Sequence, residues 1–174
     1  MQHADHVGLI RDAVGPSGTW LELGSGDGAF TLALADVLGG GTIHSVDKDR
    51  GALASQAEAV HARFPAVRLE QRTADFTRPL GFSGMDGVLM ANALHFVKEK
   101  AAVLALVRSY LKVGGHFVLV EYDADRGNHW VPYPISWTTW QAVAPVGGFS
   151  TPRLLGRVPS RFLGAIYSSA AGRR

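Results

Sequence analysis

"LELGSGDGAF", Leu21 to Phe30, sets three glycines at alternate positions, Gly24, Gly26 and Gly28, between an apolar run and an amphipathic segment. The run "TWLEL" reads as a short buried strand. Beyond the glycines, Phe30, Leu34, Val37 and Leu38 recur on one face of a helix that "GGG" at Gly39 to Gly41 ends. The glycines therefore occupy a strand-to-helix turn. Without a Cβ in the way a ligand can approach such a turn closely, and the first N–H groups of the helix are free to meet it. Read alone, "GSGDGA" also fits the relaxed dinucleotide pattern G-x-G-x-x-A, so it points to a nucleotide-like ligand and no further.

Two neighbours narrow the choice. Asp47 closes a second strand, "TIHSVD", 19 residues beyond Gly28. A carboxylate at the C-terminal end of a strand is placed to accept from two ribose hydroxyls, and capping the helix that starts near Asp49 is its other use. Glu22 lies two residues before Gly24 in an otherwise apolar strand. A buried carboxylate must find a partner or become neutral; a cationic ligand would satisfy it and a pyrophosphate would repel it. A helix-capping or water-bridged role is the alternative.

The strand-helix rhythm continues. Leu53, Ala57, Val60 and Phe64 mark a helix face that stops before Pro65, "AVRLEQ" is a third strand, and "MDGVLMANAL" holds a fourth. Val103, Leu104, Val107 and Leu111 carry the next helix, with Gly114 and Gly115 capping it ahead of the apolar "HFVLVEY". Five strands alternating with helices predict a parallel sheet covered on both faces. The end of the chain departs from this pattern. "PYPISWTTWQAVAPVGGF" predicts a helix with Pro134 near its start, and "RLLGRV" and "RFLGAIYSSA" read as strands separated only by "PS". That gap is too short for a crossover, so the two should pair as an antiparallel hairpin at the sheet edge.

The 174 residues are the size of one domain, taken here as 1–174, and 47% apolar with 18% charged residues is a globular composition. No apolar run reaches about 18 residues and the N-terminal stretch does not read as a signal peptide, so a cytoplasmic protein without membrane association is expected. The absence of cysteine excludes disulfides, thiolate zinc sites and thiol nucleophiles, and no metal is expected. The net charge is only +2, yet no acidic residue follows Asp125, whereas Arg126, Arg153, Arg157, Arg161, Arg173 and Arg174 do. These arginines are either solvated positions or a docking surface for an anionic partner.

"ELGSGDG", "SVD", "TADF", "NALHF" and "LKVGGHFVLVEY" together resemble, in order, the motifs of the class I S-adenosylmethionine-dependent methyltransferases, from about residue 3 to residue 170. The resemblance implies an α/β fold: a three-layer, doubly wound, seven-stranded sheet, mostly parallel with one antiparallel strand from the C-terminal β-hairpin. It implies S-adenosyl-L-methionine as methyl donor and S-adenosyl-L-homocysteine as product. On the matching positions it implies that Gly24, Ser25, Gly26 and Gly28 line the methionine and ribose portions, with Glu22 towards the amino group and Asp47 on the ribose hydroxyls. Asp75 would accept from the adenine amine while the N–H of Phe76 meets the ring, and Lys48 and Asn92 complete the cofactor set. A solvent-facing turn residue is the other reading of Asp75.

Methyl transfer is an in-line displacement in which the protein chiefly positions the reactants. A hydroxyl or protonated amine acceptor also needs a base. His95, after the fourth strand, is the candidate catalytic residue, with packing over the cofactor as its alternative role. "NALH" stands where exocyclic-amine methylators carry Asn-Pro-Pro-aromatic, which argues against nucleic-acid base N-methylation; the missing cysteine argues against cytosine C5 methylation. "RGNHWVPYPISWTTW" concentrates aromatics. Trp130 and Tyr133, with His95 and Tyr122, are candidate acceptor-binding residues, while Trp137 and Trp140, three apart on a helix, suit the core.

A small-molecule acceptor is expected first, a protein or RNA acceptor docked on the basic end second, and a non-catalytic cofactor-binding module third. Only 18 residues precede the first strand, so either the acceptor is small and partly exposed, or a second subunit of a homodimer or the substrate itself closes the site.

Overall fold

Along β1 (Thr19–Leu23) Leu21 and Leu23 enter one apolar cluster and Trp20 enters another, the alternation of a strand buried on both faces. The same period runs through β4 (Met85–Ala91), where Val88 and Met90 face one cluster and Leu89 the other. In β5 (Leu111–Tyr122) Phe117 and Leu119 oppose Val118 and Val120. The computed structural model describes all 174 residues. Its other elements are α1 (His3–Ile10), α2 (Ala29–Leu38), β2 (Gly41–Asp47), α3 (Arg50–Arg63), β3 (Val67–Thr73), α4 (Lys100–Tyr110), α5 (Trp137–Val146), β6 (Arg153–Pro159) and β7 (Ala165–Gly172).

One seven-stranded sheet results, in the order β3-β2-β1-β4-β5-β7-β6. Only β7 runs against its neighbours, pairing antiparallel with both β5 and β6, as the hairpin reading requires. Side-chain caps set several helix starts: Asp49 accepts from the N–H of Gly51 and Ala52 at α3, and Ser136 from that of Thr139 at α5. The strand order reverses between β1 and β4. Connections leave those two strands towards opposite sides of the sheet, so their C-terminal ends part into a crevice, the place where open α/β sheets take ligands.

Three boundaries differ from the sequence reading. The hairpin loop spans residues 160–164, so Arg161 to Leu163 lie outside the ladder. The reason is local: Ser160 N–H donates to Gly164 O at 2.9 Å and its Oγ accepts from Phe162 N–H at 3.1 Å, closing the turn on itself. Pro134 precedes α5, whose start is fixed by the Ser136 cap, and Pro145 sits in its last turn. Leu111, placed on α4 by periodicity, instead opens β5, which pairs with Met85 before a bulge.

Trp140 is fully buried, edge-on to Phe117 at 5.7 Å, with its indole N–H on Ser169 Oγ at 3.0 Å. Trp130 stands largely in solvent. Trp140→Ala should lose about 3–5 kcal/mol of stability through the cavity it leaves, whereas Trp130→Ala should stay within about 0.5 kcal/mol of the parent. Urea unfolding of both variants measures the contrast, and equal losses would contradict this packing.

Candidate active site

The glycine turn is stitched to β2. Gly24 and Ser25 both donate their N–H to Val46 O, at 2.8 and 3.2 Å, and Gly26 N–H donates to Asp47 Oδ2 at 2.8 Å. Gly24 has φ 74°, and a Cβ on it would lie 2.6 Å from that of Ala93 after β4. Gly28 has φ 85° where it caps α2, and a Cβ there would lie 2.5 Å from that of Gln56 on α3. Both positions require glycine for conformation and for space.

A buried polar layer lies beneath the turn. Thr31 of α2 donates its hydroxyl to Glu22 Oε2 at 2.5 Å, and Ser45 of β2 donates to Gln56 Oε1 at 2.6 Å. Gln56 in turn donates to Ser25 Oγ and Gly26 O, each at 3.0 Å. Four elements thus fix the turn from below. Burial pushes the Glu22 carboxyl up to about 8, offset only in part by the Thr31 hydroxyl. It is therefore predominantly neutral at pH 7.

Above the turn opens a cleft of about 460 Å³, walled by Gly24, Gly26, Asp47, Lys48, Phe76 and Asn92. Glu22 and Ser25 lie under the turn and Gly28 at the helix start, none of them on this wall. Asp75 is also off it, because its Oδ1 takes both the N–H and the hydroxyl of Thr77, at 2.9 and 2.7 Å, and its Oδ2 pairs with Lys48 at 3.2 Å. The Thr77 bonds, above all the hydroxyl, hold the Asp75 carboxyl below its ordinary range. Asn92 is the one non-glycine residue with positive φ, 51°, and its buried Oδ1 has no partner in the chain.

Asn92 and Phe96 also border a second cavity of about 230 Å³, with His95, Tyr122, Trp130 and Phe162. His95 is buried, and its Nδ1 lies 3.1 Å from both carboxyl oxygens of Glu121 on β5. The N–H groups of His95 and Tyr122 donate to the same carboxyl, each at 3.0 Å. With Nδ1–H given to Glu121, the imidazole presents its Nε2 lone pair. Tyr133 is not part of this wall; its N–H donates to His95 O at 3.0 Å, and Lys100 ties Tyr133 O and Val97 O together at 2.7 and 2.8 Å.

Glu121, Gln56 and Phe162 were absent from the sequence-derived set. Glu121 carried the same signal as Glu22, an acid inside an apolar strand, and Gln56 interrupts the apolar face of α3 between Leu53 and Val60. Phe162 was hidden by its assignment to a strand. Three of the six arginines of the basic end are engaged within the fold: Arg157 pairs with Asp123 at 2.9 Å, Arg153 donates to Asp12 O at 3.0 Å, and Arg173 donates to Leu111 O.

The Glu22 environment sets a pH dependence. The folded carboxyl keeps its proton up to about 8, whereas the unfolded one loses it near 4.5, so its contribution is fully present below 4.5 and declines as pH rises towards 8. Glu22→Gln, which cannot ionise, should therefore gain stability relative to the parent between pH 5 and pH 8. Denaturant midpoints across that range give the answer; a constant difference would refute the neutral carboxyl.

A family model described as a methyltransferase domain matches residues 21–117, more than half of the chain. The chain is 28% identical over 155 residues to a highly reducing polyketide synthase, pkhB, of Emericella nidulans, covering 78% of this chain and spanning 6% of the synthase's length. Among solved structures, it resembles the 1,6-didemethyltoxoflavin-N1-methyltransferase of Burkholderia thailandensis, crystallised with 1,6-didemethyltoxoflavin and S-adenosylhomocysteine. The TM-score there is 0.78 at 18% identity, over 99% of this chain and 78% of that one. The magnesium protoporphyrin IX methyltransferase of Synechocystis PCC 6803, solved with bound S-adenosylmethionine, gives 0.75 at 18%, over 98% and 77%. At these identities the structures speak for the fold, and the family model for the class: this chain belongs to the methyltransferase-domain family, in its class I, Rossmann-like form.

Proposed function

We propose that the protein transfers a methyl group from S-adenosyl-L-methionine to a small-molecule acceptor, releasing S-adenosyl-L-homocysteine, and that His95 takes the acceptor's proton. One observation carries this reading: the cavity bordered by His95, whose ring is held from behind by the buried Glu121, shares Asn92 and Phe96 with the cleft over the glycine turn. A donor in the cleft and an acceptor in the cavity would meet at that shared wall.

The cleft residues fit such a donor. A Cβ-free backbone at Gly24, open space beside Gly26, the Asp47 carboxylate and an unpartnered Asn92 Oδ1 suit a nucleoside carrying N–H and O–H donors. When bound, S-adenosylmethionine supplies a methyl carbon activated by positive sulfur. Asp47 holds the ribose hydroxyls while keeping Gly26 in place, Asn92 Oδ1 accepts a ligand N–H, and Phe76 closes the apolar side. Asp75 serves the cofactor through Lys48 and the Thr77 turn.

His95 borders the acceptor cavity. Glu121 fixes the ring and stabilises the imidazolium formed when Nε2 accepts the acceptor's proton. The two structural relatives named for small-molecule acceptors support a small-molecule acceptor here, and Trp130 and Tyr122 border the space it would fill.

Release of S-adenosylhomocysteine over a metabolite library tests the reading and identifies the acceptor. With that acceptor, His95→Ala should slow transfer by roughly 10²–10⁴-fold while leaving S-adenosylhomocysteine affinity unchanged. An unaltered rate would remove His95 from the mechanism. Asp47→Ala should weaken S-adenosylhomocysteine binding by about 1.5–3 kcal/mol, the loss expected for hydrogen bonds to a charged group, as read by calorimetry.

A further inference from the structure

Three large rings project into solvent around the cavity that contains His95: Phe96 is 62% exposed, Trp130 69% and Phe162 60%. They come from three separate segments, the turn after β4, the loop after β5 and the β6–β7 turn. Their ring neighbours are sparse. Phe96 lies tilted against His95 at 4.2 Å and Trp130 meets His129 edge-on at 5.4 Å, so most of their faces remain open. His95 is the one basic side chain on this wall, and a larger adjoining cavity of about 760 Å³, which shares Asn92, Tyr122 and Phe162, adds Asp5 and Arg161. Apolar rings held open around a catalytic cleft gain from an occupant that removes them from water.

The arrangement is built, because Asn128 joins two of the three segments. Its Oδ1 accepts from Trp130 N–H and Val131 N–H, each at 2.9 Å, and its Nδ2 donates to Phe162 O at 3.0 Å. Asn128 N–H donates to Val131 O at 3.0 Å, and Lys100 holds the far end of the same loop at Tyr133 O. One amide therefore sets the separation of the Trp130 and Phe162 backbones.

We propose that Phe96, Trp130 and Phe162 form the acceptor-recognition mouth, that Asn128 is its positioning residue, and that the acceptor it selects is a flat, conjugated acid: a phenol, an enol or a heteroaromatic N–H. This rests on the reading of His95 as base. Two independent features lead to the same class. Ring faces favour a π-system over a puckered body of equal size. An imidazole base held by Glu121 takes a proton most readily from an acceptor that conjugation has already acidified.

The step balances. The acceptor X–H bond breaks and its proton goes to His95 Nε2. The freed pair on X forms the bond to the methyl carbon, and the pair of the breaking sulfur–carbon bond remains on sulfur, leaving neutral S-adenosylhomocysteine. The proton passes from the imidazolium to water.

The test compares 2-naphthol with decahydro-2-naphthol, which shares its carbon skeleton and hydroxyl but is puckered and unconjugated, by calorimetry on protein saturated with S-adenosylhomocysteine. 2-Naphthol should bind at least tenfold more tightly. Trp130→Ala and Phe162→Ala should each weaken it fivefold or more, Phe162→Tyr should restore it, and Asn128→Ala should weaken it similarly. None of the four should shift S-adenosylhomocysteine affinity by more than the scatter between preparations, and the three ring variants should leave the melting temperature within the same scatter. Equal affinity for the two alcohols, or naphthol binding indifferent to Trp130 and Phe162, would overturn the mouth. An Asn128→Ala loss shared with S-adenosylhomocysteine would overturn its positioning role. Failure of the parent to bind S-adenosylhomocysteine would instead overturn the cofactor reading, and the naphthol comparison on the free protein would still decide the mouth.

Discussion

The cleft exists because the chain ends of β1 and β4 approach so closely that only a glycine fits between them. Gly24 faces the methyl of Ala93 across a gap with no room for another carbon, and it does so in a left-handed conformation. From that contact the turn rises over Val46, Gly26 drops its N–H onto Asp47, and α2 begins at Gly28. The layer of Ser25, Ser45, Gln56, Thr31 and Glu22 then holds the turn at a fixed height above the sheet. A ligand meets a floor that is already formed, so little ordering has to accompany binding.

Two buried glutamates show how environment separates identical side chains. Glu22 receives one hydroxyl and no N–H, and desolvation leaves it protonated. Glu121 instead gathers the N–H groups of His95 and Tyr122 together with the imidazole Nδ1. The first is part of the floor beneath the cleft. The second sets the orientation of the only imidazole on the cavity wall. They lie on β1 and β5, on either side of β4.

Much of this was legible in the sequence because it depends on short-range periodicity. Alternation along "TWLEL" and "HFVLVEY", spacing on the helices and glycines at the turn give strands, helices and cleft without reference to distant residues. Gly24, Gly26, Asp47, Lys48, Phe76 and Asn92 reached one wall for the same reason: each sits at or just beyond a strand end. What escaped was set by competition between local partners. Asp75 had Thr77 two residues away and spent its carboxylate there. Ser160 closed a wider turn than the apolar pattern of "RFLGAIYSSA" suggested, taking Phe162 out of the sheet. Asn128 had no signature at all, since its value lies in reaching a loop 34 residues away.

The reversed strand has a consequence for how this scaffold can diversify. Because β6 runs with the parallel strands and β7 returns against them, the turn between them emerges at the same rim as the ends of β1, β4 and β5. Residues 160–164 can thus be lengthened, shortened or exchanged without altering the register of any strand. The hairpin is thus an interchangeable wall beside a fixed floor, and if the acceptor sits where we propose, its preference can change by replacing a few residues at the sheet's edge, provided the new turn still brings a carbonyl to Asn128.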